Sequence, residues 1–121
     1  WKGLARFNAI LVTNQSSVRV HADRAAAAAG VGIEPTYVLD SLTTAVGLVR
    51  AGLGYAVLPS LALRSMDLSG AVARVVEQPR ARRDIGLLKR AQFTLSPAAT
   101  AFAAIAREIA GEFPEDIRSI L

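Results

Sequence analysis

Ser17, His21 and Asp23 bring the three residue types of a hydrolytic triad within seven residues of one another. A nucleophilic serine also needs a sharp elbow of the Gly-x-Ser-x-Gly kind to lift its hydroxyl clear of the backbone. The stretch Gln15-Ser16-Ser17-Val18-Arg19 supplies none. The three residues are therefore read as surface and capping groups, with His21 at a strand-to-helix junction, and the chain is not expected to be an enzyme. His21 is the single histidine and there is no cysteine, which excludes histidine-rich and cysteine metal sites, thiolate nucleophiles and disulfides together. No cofactor and no metal is expected.

Binding chemistry is better represented. Asp40-Ser41-Leu42-Thr43-Thr44 places three hydroxyls at an expected helix start, where free backbone N–H groups attract a carboxylate or similar anion. Plain capping by Asp40 and Ser41 accounts for the same residues. Asn14-Gln15-Ser16-Ser17 offers donors and acceptors on a loop at the end of an expected strand, as an ordinary polar surface loop also would. Gly52-Leu53-Gly54 opens like a dinucleotide fingerprint, but Val57 stands where the third glycine belongs. The order is also helix to strand, whereas a pyrophosphate loop runs from strand to helix, so a helix stop followed by a tight turn is the expectation. Arg80, Arg82 and Arg83 could meet phosphates, yet no aromatic residues interleave them, and a solvated basic turn is the simpler reading.

The elements that must position these residues alternate along the chain. The apolar run 9–13 reads as a buried strand entering a loop, and a second short run, Val18-Arg19-Val20, follows it. Asp23-Arg24 then lead into five alanines and Gly30, a helix with a glycine stop. Residues 36–39 are rich in β-formers and run into the caps Asp40 and Ser41; the apolar spacing over 42–51 predicts a helix ended by Gly52. Residues 55–58 read as a strand buried on both faces, and 61–66 as a short helix. Strands are expected over 71–77 and 85–90, with the basic turn 79–84 between them. Ser96-Pro97 opens a helix whose apolar face is Ala98, Ala101, Phe102, Ile105 and Ile109, and a last helical turn is expected over 114–121. About five strands and four helices in alternation make an α/β layer with a mostly parallel sheet. Ligands of such sheets lie beyond the carboxyl ends of the strands, here 13–17, 40–44 and 59–60.

Length and composition agree with one such layer. The 121 residues suit a single core; of the 63 apolar residues 23 are alanine, so much of the interior is built from closely approaching helices. The longest charge-free stretch, 91–106, holds 16 residues with Ser96 and Pro97 inside it, short of the roughly 20 a membrane span needs. A net charge of +4, spread along the chain, permits nucleic-acid binding without indicating it. The start, Trp1-Lys2-Gly3-Leu4, reads as an internal cut in a longer protein.

Across 40–59, DSLTTAVGLVRAGLGYAVLP resembles the effector-binding domain of LysR-type transcriptional regulators. The resemblance rests on the Asp40-Ser41 helix start, the turn Val49-Arg50-Ala51-Gly52-Leu53-Gly54 and the strand end Leu58-Pro59. Downstream, Arg83-Asp84-Ile85-Gly86-Leu87 is similar to the family's Arg-x-Ile-x-Leu strand. Ser96-Pro97-Ala98-Ala99-Thr100-Ala101-Phe102 is similar to its Ser-Pro-Ala-Ala-x-Ala-Phe helix, and Ser16-Ser17-Val18-Arg19 to its Ser-Ser-x-Arg loop. The ordered combination covers about 9–109.

The resemblance implies a lobe like those of the type 2 periplasmic binding proteins, a mostly parallel sheet flanked by helices, with a small-molecule effector held between two lobes. Residues 1–93 would form the second lobe and 94–121 a helical segment returning to the first. DNA would be read only through a helix-turn-helix domain outside this chain, in a cytoplasmic homodimer or higher oligomer with no membrane partner. The ligand-binding residues it points to are Ser16, Ser17, Arg19, Ser41, Thr43 and Pro59, around a small organic anion, with Asp40 or Asp23 as an alternative, structural partner for Arg19. The face of Phe102, Ile105 and Ile109 is expected either to pack within the chain or to mediate self-association. An extracytoplasmic solute-binding protein of a transporter shares this architecture and is the alternative reading.

Overall fold

The computed structural model describes residues 1–112. It falls into two compact units, the first spanning Trp1–Ala81 and the second beginning at Arg82. The helical turn expected over 114–121 lies outside the described residues.

The first unit is a three-stranded parallel sheet with its helices. Strand β1, Ala9–Val12, lies between β2, Pro35–Leu39, and β3, Tyr55–Ala56, giving the order β2-β1-β3. All four residues of β1 are buried, with Ile10 and Leu11 essentially removed from solvent, as a central strand covered on both faces requires. Pro35 sits at the first position of β2, where the missing N–H costs least. The β3 ladder stops after Ala56, two residues earlier than the apolar run suggests. Val57 packs instead against the alanine cluster of α1, Ser17–Ala28, and Pro59 has no N–H to offer.

Helix α1 is capped by Ser16, whose hydroxyl accepts from the Val18 N–H at 3.2 Å. The short run Val18-Arg19-Val20 is therefore helical, and His21 lies one turn inside the helix rather than at its junction with a strand. The cap at Ser16 overrides the β-branched preference of the two valines. Ala22, Ala25 and Ala26 are buried against Trp1, a contact that small side chains allow a helix to make closely. The Trp1 indole N–H donates to the Pro79 carbonyl at 2.7 Å.

Helix α2, Leu42–Arg50, packs over all three strands and buries Ala45 and Val46. Both helices end in the same way. Gly30 N–H donates to Ala27 and Val31 N–H to Ala26, each at 2.9 Å; Gly52 N–H donates to Val49 at 2.9 Å and Leu53 N–H to Leu48 at 3.1 Å. With Gly30 at φ +72° and Gly52 at φ +77°, these are two Schellman stops. A four-residue helix α3, Ser60–Leu63, follows β3, shorter than the expected 61–66.

The strands expected over 71–77 and 85–90 do not form: both segments are described, and neither joins a ladder. Val72, Val75, Ile85, Leu87 and Leu88 are exposed. An extended apolar run becomes a strand only beside a partner strand, and these have none among the described residues.

In the second unit Ser96 accepts from Ala99 N–H at 3.2 Å and Pro97 occupies the first turn of α4, Pro97–Gly111, as its sequence predicts. On its apolar face Phe102, Ile105 and Ile109 are all exposed.

Candidate functional site

The parallel ladder brings the carboxyl ends of β1 and β2 level, with Val12 opposite Leu39. Just beyond them Thr13 N–H donates to the Leu39 carbonyl at 3.0 Å, and Ser16 N–H donates to the Thr13 carbonyl at 3.0 Å. Two loops are thereby tied side by side, one entering α1 and the other entering α2. The chain leaves β1 toward β2 through α1 and returns across β1 to β3 through α2, so right-handed crossovers set the two helices on opposite faces of the sheet. The gap between the ends of β1 and β2 lies at the carboxyl edge of the parallel sheet, the edge at which open α/β sheets hold ligands, and in this strand order the connections diverge between β1 and β3.

Five of the six candidate residues stand around that gap. Ser16 and Ser17 open α1 with Arg19 in its first turn, while Ser41 caps α2 with Thr43 in its first turn. The Ser41 hydroxyl accepts from Thr44 N–H at 3.3 Å, and Thr43 is exposed. Pro59 follows β3 on the far side of β1, where it begins α3. Two helix N-termini, with N–H groups that their helices do not use, therefore open at one sheet edge, which suits an anion.

Arg19 resolves in favour of Asp23. Its Nε donates to both carboxylate oxygens, at 2.7 and 2.8 Å, and the arginine side chain is only 13% exposed against 43% for Asp23. The pair spans one helical turn and orients the first turn of α1. His21 Nδ1 lies 2.7 Å from the Ser17 carbonyl; a carbonyl only accepts, so Nδ1 carries the hydrogen and donates. Asp23 therefore serves Arg19, His21 serves a backbone carbonyl, and no triad assembles. No group of three metal-ligating side chains occurs among the described residues.

Two residues matter here that their sequence positions do not announce. The Ser60 hydroxyl, next to Pro59, is shielded from solvent and has no hydrogen-bond partner among the described residues. Asn8 supports β3 from below: its carbonyl accepts from Tyr55 N–H at 3.0 Å and its Nδ2 donates to the Leu53 carbonyl at 3.4 Å. Only the pairing of β1 with β3, 45 residues apart at Asn8 and Leu53, reveals that role.

Removing the α2 cap gives a direct measure of this edge. Ser41→Ala will destabilise the protein by about 1 kcal/mol, and Ser41→Gly by only a few tenths. Thermal unfolding reads both, and a Ser41→Ala variant as stable as the parent would mean that the hydroxyl does not cap.

At the other end of α2, Arg50 holds the loop after α3. Its Nη1 is 3.0 Å from Asp67 Oδ2, its Nε donates to the Ser69 carbonyl at 2.8 Å, and Nη2 donates to the Ser69 hydroxyl at 3.0 Å. Hydrogen bonds from the Ser69 backbone N–H and hydroxyl, helped by the charge of Arg50, hold the Asp67 carboxyl below its ordinary pKa. A depressed folded pKa contributes stability that is present above the unfolded value and is lost as pH falls through the folded one. Asp67→Asn will therefore melt lower than the parent at neutral pH, and the gap will close below the usual carboxylate range. A gap independent of pH would assign the effect to something other than the charge.

The comparisons with known proteins agree with this architecture. The LysR substrate binding domain family matches residues 1–111. A relative from Escherichia coli (strain K12), the uncharacterized HTH-type transcriptional regulator YbhD, is 32% identical over 105 residues, which cover 87% of this chain and 33% of the relative. The chain thus spans about a third of the length of that curated relative. No solved structure matches it. No helix among the described residues is long and apolar enough to cross a membrane. A family match over nearly the whole chain, on a small parallel sheet flanked by helices with capped N-termini at its carboxyl edge, leads to one conclusion: this chain belongs to the LysR substrate binding domain family.

Proposed function

We propose that the chain is an effector-sensing module of a LysR-type transcription regulator, and that it takes a small organic anion at the carboxyl edge of its sheet. The observation that carries the reading is the paired opening of α1 and α2 beside the tied loops at Thr13 and Leu39. Backbone N–H groups of two helix starts supply the electrostatics, Ser16, Ser17, Ser41 and Thr43 supply hydroxyls, and Pro59 shapes the floor. Arg19, held by Asp23, positions the first turn of α1. In this reading residues 1–93 form the second lobe of a type 2 periplasmic-binding-protein-like domain, and 94–121 return to the first lobe, so the ligand lies between lobes.

Effector occupancy would bias the relation between those lobes in a homodimer or higher oligomer. Operator contact is left to a helix-turn-helix domain of the kind named in the relative. No enzymatic step, metal or cofactor enters the reading, and the family match gives no support to the transporter alternative.

The test is calorimetric titration with a panel of small mono- and dicarboxylic acids, with uncharged analogues as controls. An acid should bind while its amide does not, and Thr43→Val together with Ser16→Gly should weaken binding about tenfold, or about 1.4 kcal/mol. Binding that ignores the ligand's charge and both substitutions would overturn the placement of the site.

A further inference from the structure

No further inference is drawn: the strongest candidate, the exposed apolar face of α4 formed by Phe102, Ile105 and Ile109, carries nothing because nothing in the structure shows what covers it.

Discussion

Replacing Gly54 by alanine will destabilise the protein by roughly 3 kcal/mol, lowering its melting temperature by roughly 10–20 °C. Gly54 has φ +155°, a backbone conformation that side chains rarely adopt, and a Cβ there would run into the backbone carbonyl of Asn8. That carbonyl cannot move away cheaply, because it accepts the Tyr55 N–H bond that starts the β1–β3 pairing. The substitution therefore strains the turn and opens one edge of the central strand together. Gly52→Ala is the control. Gly52 also has positive φ, at +77°, but a Cβ there meets open space, so only the left-handed strain of about 1 kcal/mol remains. Equal melting temperatures for the two variants would show that the close approach at Asn8 is not what demands glycine.

Ile10→Ala will cost about 3 kcal/mol in urea unfolding, within the usual range for emptying a buried aliphatic site. Ile10 is wholly buried in the central strand, between Tyr37 of β2 and Ala56 of β3. Its loss leaves a cavity that neither neighbour can fill without breaking the ladder. Leu88→Ala, by contrast, will change stability by less than about 0.5 kcal/mol, because that side chain is 100% exposed. Both residues sit in short apolar runs expected to be strands. A Leu88→Ala loss as large as that of Ile10→Ala would mean that the 85–90 segment is packed in solution.

This contrast marks where local reading stops. The caps at Ser16, Ser41 and Ser96, the glycine stops at Gly30 and Gly52, and the central strand at 9–12 all involve residues within five positions of each other, or one unbroken apolar run. Ser41, Ser96 and both glycines are legible directly. Ser16 is legible in principle, but the β-branched Val18 and Val20 beside it suggest an extended segment and push the expected helix start toward Asp23. The position of the candidate site follows from the same local signals, because strand ends and helix starts define the edge. The assignment of particular side chains does not: Asp40 and Asp23 are both plausible partners for Arg19 by type, and one-turn helical spacing selects Asp23.

The sequence by itself determined that the chain is α/β, that α1 and α2 stop at their glycines, that α2 and α4 begin at their serine caps, and that hydroxyls and free N–H groups lead into α2. Those properties arise from hydrogen bonds between near neighbours and from apolar periodicity, both written in consecutive residues. Only the tertiary structure decided which apolar runs became strands, because a strand needs a partner ladder that may lie 45 residues away, as Asn8 and Leu53 do. It alone decided that β1 is central, that β3 ends at Ala56, and that 71–77 and 85–90 join no ladder among the described residues. It also brought the starts of α1 and α2 together, through parallel pairing that sets Val12 level with Leu39.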